Sequence, residues 1–276
     1  MSHFVACTHG NVYYELHGPA DGPLVIMIHG FASSSLVWMH NIKPLTDAGL
    51  RCLLVDLYGR GQTAKPNVTY DSALFMGQIL DVVKGLELPE TFQIVGSSMG
   101  GAIALSLSAQ YPEKVDGLCL LAPAGIKQKA TPAAKLAKIP GIGKLALQLF
   151  GKQLIRIGTK RNFVQPNAPA LKPYYEMFDR QLKDPGFLPA LHATSQDMPL
   201  FDMEDKFIKT AEHNIPTLVI WGTKDKILPH DNTKRLQQLF PNAQLITLMN
   251  AGHLPQLEEP ERITPLILEH LRQVLP

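Results

Sequence analysis

The segment Val95-Gly96-Ser97-Ser98-Met99-Gly100-Gly101 decides how this chain is read. It follows the apolar run FQIV at 92–95 and precedes the apolar run AIALSLSA at 102–109. A buried strand therefore turns sharply into a helix at the two serines. Gly96, Ser98 and Gly100 fit the pattern G-x-S-x-G, which carries meaning only in such a strand-to-helix setting. There the central residue is forced into a strained backbone, and small residues two places before and after it avoid clashes. The glycine frame selects Ser98, because Ser97 would need glycine at Val95. The N-terminus of the following helix also favours negative charge forming nearby.

The rest of the chain supplies the context. Runs closed by Gly, Pro or Asp recur at 23–30, 51–59, 92–98, 115–125, 217–222 and 243–252. Their short, unalternated apolar cores read as strands buried on both faces of a parallel sheet. FVACTHG at 4–10 and NVYYELHG at 11–18 read as an opening antiparallel hairpin. Helical patterns over 37–48, 71–87, 99–110, 230–239 and 260–274 fill the gaps, which predicts a doubly wound α/β sheet. Between Ala124 and Ala211 strand signals vanish and prolines multiply, from Pro132 to Pro199. This stretch is expected to be a helical insertion overhanging the C-terminal sheet edge, where ligands bind in such folds. The expected division is a core of 1–123 and 212–276 with an insertion of 124–211.

Composition excludes several classes. The chain has 276 residues, 45% hydrophobic and 18% charged, with a formal net charge of +2. That balance suits a soluble globular protein and gives no sign of nucleic-acid binding. Cys7, Cys52 and Cys119 show no metal or redox spacing, and a reducing compartment is their simplest setting. The opening MSHFVACTHG lacks a basic segment followed by an apolar one, so no signal peptide is read. A cytoplasmic location is expected.

A serine hydroxyl needs a base. The strand at 243–249 ends in Asn250-Ala251-Gly252-His253, which sets His253 at the same sheet edge as Ser98. Histidine in turn needs an acid to fix its tautomer. The strand at 217–222 runs into Thr223-Lys224-Asp225, whereas the strand at 115–121 is followed by no carboxylate. Asp225 is therefore the expected acid. Oxyanion donors are expected from the N–H groups of Met99, after the nucleophile, and Phe31, in the loop His29-Gly30-Phe31-Ala32. His29 reads as an organiser of that loop. Gly30, Ser97 and Leu254 are expected to contribute to substrate binding.

Together, HGF (29–31), DLYGRG (56–61), GSSMGG (96–101), GTKD (222–225) and GH (252–253) resemble the α/β-hydrolase superfamily over nearly the whole chain outside the insertion. The resemblance implies an eight-stranded, mostly parallel sheet, the order Ser98, Asp225, His253 for a catalytic triad, and a helical cap over the site. It implies no metal and no organic cofactor, and gives Asp56 to Gly61 a structural role. Ser98 disfavours the members that use aspartate as nucleophile. Carboxylesterases and monoacylglycerol-lipase-like members fit the segment 97–125, which implies an ester or lipid ester as small-molecule substrate. The alternative is a C–C bond hydrolase of vinylogous diketones. Those members often carry Trp after the catalytic His and an Arg in the cap. Here Leu254 follows His253, while Arg156, Arg161 and Arg180 could each supply the Arg.

The insertion is locally basic. No Asp or Glu occurs from Ala124 through Tyr175, while Lys127, Lys129, Lys135, Lys138, Lys144, Lys152, Arg156, Lys160, Arg161 and Lys172 do. Two readings fit: a solvated basic face, or weak association with an anionic membrane surface. Apolar residues of the insertion, among them Phe163, Tyr174, Phe178 and Phe187, are read mainly as its packing core.

Overall fold

The computed structural model describes residues 3–128 and 142–274. Eight strands form one sheet: β1 (Phe4–Cys7), β2 (Gly10–His17), β3 (Leu24–Ile28), β4 (Arg51–Val55), β5 (Phe92–Ser97), β6 (Val115–Leu121), β7 (Thr217–Gly222) and β8 (Gln244–Leu248). Their spatial order is β1-β2-β4-β3-β5-β6-β7-β8. β2 runs antiparallel to both β1 and β4, and every pairing from β4 to β8 is parallel. Every residue of β3, β5 and β7 is buried, whereas β8 at the edge is partly exposed. That explains the missing alternation in the central strands: both faces are covered, so both side-chain sets are apolar.

Six helices flank the sheet or close its loops: α1 (Ile42–Asp47), α2 (Ser72–Gly85), α3 (Met99–Gln110), α8 (Asn232–Leu239), α9 (Pro255–Glu258) and α10 (Pro260–Gln273). Among the described residues, four more lie between β6 and β7: α4 (Ile142–Lys160), α5 (Lys172–Gln181), α6 (Phe187–Asp197) and α7 (Glu204–Glu212). One large apolar cluster joins Ile26, Leu53, Phe75, Ile94, Ile103 and Trp221. A second joins Val25, Leu54, Val95, Leu121, Ile220 and Ile267. Adjacent residues of one strand thus enter opposite clusters, as the period of two requires. The three cysteines are unpaired.

One detail differs from the sequence expectation. The helix expected over 37–48 is a 3₁₀ turn at Ser35–Trp38 followed by the short α1. Pro44 has no N–H to donate to the carbonyl of residue 40, so one continuous helix cannot form there. Helix α7 lies against α3, where Phe207 is fully buried in the first cluster and the Thr210 hydroxyl donates to the Leu105 carbonyl at 3.2 Å. It thus belongs to the layer flanking the sheet. Residues 129–141 of the expected insertion, with Lys129, Lys135 and Lys138, lie outside the described residues.

Within the described part, Phe163, Tyr174, Phe178 and Phe187 are each at most 2% exposed. They pack on one another edge to face, Phe163 with Tyr174 at 5.4 Å and Phe178 with Phe187 at 6.2 Å. Phe31 and Ala32, of the loop after β3, pack against Phe178, Leu182, Phe187 and Leu191. The insertion therefore rests on the sheet edge at which β3, β5, β7 and β8 end.

Candidate active site

Ser98 sits between β5 and α3 with φ 55° and ψ −115°. A non-glycine residue rarely adopts positive φ, and such strain costs about 1–3 kcal/mol unless the surroundings impose it. Here they do. The Ser98 N–H donates to the Leu121 carbonyl at 2.9 Å, and its carbonyl accepts from Gly101, Ala102 and Ala124 at 3.0–3.2 Å. A Cβ on Gly96 would come within 2.6 Å of the Gly100 carbonyl oxygen, and one on Gly100 would overlap the Ile28 carbonyl. Only glycine lets β5, α3 and β3 approach this closely. Ser98 remains 9% exposed at the tip of the turn.

The acid and base loops are built against each other. Thr223 N–H donates to the Leu248 carbonyl at 2.9 Å, Lys224 N–H to Ala251 at 2.9 Å, and Asn250 N–H to the Thr223 hydroxyl at 2.9 Å. This brings Asp225 Oδ2 to 2.7 Å from His253 Nδ1. The other carboxylate oxygen, Oδ1, accepts the N–H groups of Ile227 and Leu228 at 2.8 and 2.9 Å. Asp225 thus has one oxygen fixed by backbone and one presented to the imidazole. Both side chains are almost wholly buried, so their attraction is weakly screened.

A third link joins the base loop to the elbow. α9 starts two residues after His253, and Gln256 Nε2 donates to Ser97 Oγ at 3.2 Å. Ser97 is fully buried, so its hydroxyl serves this bond between elbow and base loop. Leu254, 4% exposed, packs in the second apolar cluster with Trp38, Phe163 and Tyr174. Gly30 faces the nucleophile, for a Cβ there would sit 3.4 Å from Ser98 Cβ and 3.9 Å from its Oγ. Phe31 follows directly, and its N–H meets no protein acceptor among the described residues. Met99 is the first residue of α3, where N–H groups have no partner within the helix.

His29 is fully buried. Its Nδ1–H donates to the Gly30 carbonyl at 2.8 Å, and its Nε2 accepts from Leu57 N–H at 3.0 Å. Burial is the main force pulling its pKa down to about 3. A neutral imidazole with both nitrogens occupied ties the loop after β3 to the loop after β4. Asp56 in that second loop accepts from Ser35 N–H at 2.8 Å and Gln62 N–H at 2.9 Å. Burial pushes its pKa up, against these hydrogen bonds.

Sequence reasoning missed two holders of the base loop. The Asn162 carbonyl accepts the His253 N–H at 2.7 Å. The Glu258 carboxylate accepts Val164 and Gln165 N–H at 2.7 and 2.9 Å through Oε1, and Gly252 N–H at 3.2 Å through Oε2. Insertion and base loop are thus bonded directly. These partners are far apart in sequence and carry no motif.

The chain matches the Alpha/beta hydrolase family over residues 25–266. It belongs to that family and is a hydrolase. Among its relatives is "Lipase 3" of Moraxella sp. (strain TA144), 26% identical over 266 residues, covering 90% of this chain and 76% of that one. "Monoacylglycerol lipase ABHD6" of Homo sapiens is 26% identical over 281 residues, covering 95% and 79%. Among solved structures, an esterase from Exiguobacterium antarcticum superposes with a TM-score of 0.82 at 21% identity, covering 99% of this chain and 100% of that one.

Proposed function

We propose that this chain is a serine hydrolase of carboxylic esters, with small acyl or monoacylglycerol-like esters as substrates. The 2.7 Å contact between His253 and Asp225, at the sheet edge that carries the strained Ser98, is the observation behind the reading. Ser98 Oγ attacks the ester carbonyl while His253 Nε2 takes its proton. The alcohol leaves with that proton, and an acyl-enzyme remains. His253 then removes a proton from water, which attacks the acyl carbon and releases the acid and free Ser98. Asp225 holds the Nδ1–H tautomer that leaves Nε2 basic. The N–H groups of Phe31 and Met99 stabilise the oxyanion. No metal or organic cofactor takes part. The insertion acts as a cap, and its apolar cluster beside Phe31 favours apolar acyl groups. The two relatives named as lipases support the ester class.

A chain-length series of p-nitrophenyl esters beside a vinylogous 1,5-diketone tests this. Turnover is expected for the esters, with kcat/KM rising with acyl length before it falls. Efficient cleavage of the diketone with poor ester turnover would replace the reading by C–C bond hydrolysis.

Part of the basic stretch is consumed internally. Lys127 pairs with Asp202 at 3.3 Å, Arg156 with Asp179 at 2.7 Å and Lys172 with Glu176 at 3.8 Å. Lys152 and Lys160 are exposed on α4 beside Leu154 and Ile157, themselves 59% and 57% exposed. Apolar and cationic groups side by side suit the boundary of an anionic bilayer, and weak association there belongs to the same proposal. Vesicles containing phosphatidylserine should sediment the protein at low salt, and K152E/K160E should abolish this. Equal binding to neutral phosphatidylcholine vesicles would overturn it. None of the described helices is long and apolar enough to cross a membrane.

A further inference from the structure

Arg60 is fully buried, yet no carboxylate among the described residues pairs with it. Burying an unpaired charge is costly, so its surroundings must compensate, and they do so without an anion. Nε–H donates to the Phe31 carbonyl at 2.9 Å, Nη1 to the Tyr58 carbonyl at 3.0 Å, and Nη2 to the Thr194 hydroxyl at 2.8 Å. The rings of Phe31, Tyr70 and Phe75 lie 5.4–5.9 Å from its guanidinium carbon. That is within cation–π range. Burial draws its pKa down to about 9, which leaves it cationic at neutral pH.

The turn that carries Arg60 is pinned from both sides. Gly59 and Gly61 have φ of 83° and 51°, and a Cβ on Gly61 would collide with the Asp56 carboxylate. The insertion holds the outer side. Gly61 N–H donates to Gln181 Oε1 at 2.6 Å. The Thr194 hydroxyl donates to the Ala190 carbonyl at 2.8 Å, so its oxygen is free to accept from Arg60. The guanidinium is therefore a fixed bracket between helix α6 and the loop after β3.

We propose that Arg60 is a positioning residue for the oxyanion loop. By gripping the Phe31 carbonyl it fixes the orientation of Phe31, and it sets a permanent positive charge behind the place where negative charge develops. This rests on the ester-hydrolase reading, in which the Phe31 N–H is an oxyanion donor. Arginine is suited to the task because its planar fork aims three donors at once, which a lysine ammonium on a flexible stem does not. In a low-dielectric setting such a charge acts on the transition state more strongly than it would in water.

A role in folding alone predicts a different result, so the test separates stability, binding and turnover. R60M removes charge and fork while keeping length and apolar fit, and it leaves the Phe31 and Tyr58 carbonyls without this donor, which costs stability. The folded R60M protein is expected to keep KM within about threefold and to lose kcat by roughly 10–100-fold, less than the 10²–10³ typical for deleting an oxyanion donor outright. R60K, which keeps the charge without the fork, should lose part of that. A folded R60M with kcat within threefold of the native enzyme would overturn the proposal, as would a loss confined to KM. Should R60M not fold, R60K decides: reduced kcat at unchanged KM supports positioning, and native kcat refutes it. Fluorophosphonate labelling keeps the two levels apart. If the native protein does not label, or S98A still labels, the ester-hydrolase reading fails. If native labels, S98A does not, and the Arg60 variants label at the native rate, only the role of Arg60 falls.

Discussion

Replacing Ser98 by alanine should lower kcat on any ester substrate by about 10⁶-fold, as removal of the nucleophile does in a characterised serine hydrolase. The substitution removes one oxygen and nothing else. The Ser98 backbone is held by its own N–H and by three donors to its carbonyl, and alanine keeps all of these. Positive φ is no harder for alanine than for serine, so stability should move by less than about 1 kcal/mol. Folding, KM and the thermal midpoint should therefore stay near native while turnover and fluorophosphonate labelling disappear. That combination is diagnostic, because a merely misfolded variant would lose all of them together. A folded S98A protein with near-native kcat would remove Ser98 from the chemistry. It would also leave the strained backbone at Ser98 without a function.

The fold could be read from the chain because its signals are local. Each buried strand is a short apolar run, so β3 and β7 are visible in PLVIMIHG and TLVIWG without any partner. The elbow was equally visible, since its glycines must lie two residues to either side of Ser98. Asp225 and His253 followed from strand order, because each closes a strand at one sheet edge. What stayed hidden is set by contacts across long stretches of chain. Arg60 reaches Thr194, 134 residues on, and Glu258 reaches Val164, 94 residues back. Neither pairing leaves a periodicity or a spacing. The arginine between Gly59 and Gly61 was readable as part of a turn, but its inward direction depends on an insertion that packs over it. The break in the helix at 37–48 was legible in principle, for Pro44 stands in the middle of that range.

Asp225→Asn should also cripple turnover, by about 10⁴-fold on the precedent of the same change in a known Ser-His-Asp triad, less than S98A does. The reason is directional. Oδ1 of Asp225 accepts two backbone N–H groups, from Ile227 and Leu228. An asparagine must therefore place its carbonyl oxygen there, since an amide nitrogen would face two donors with a third. Its NH₂ is then forced toward His253 Nδ1, where it can only donate. Nδ1 becomes an acceptor, the imidazole proton moves to Nε2, and the nitrogen meant to receive the Ser98 proton is already protonated. Asp225→Ala reverses the balance. It leaves the two backbone donors unpaired, which costs about 1–3 kcal/mol of stability when they are buried, yet it does not impose the wrong tautomer. D225N should thus be the more stable variant and D225A the more active one. Thermal unfolding and steady-state kinetics on both would show whether stability and activity rank in opposite orders. If D225N retains kcat within tenfold of the native enzyme, Asp225 does not set the histidine tautomer.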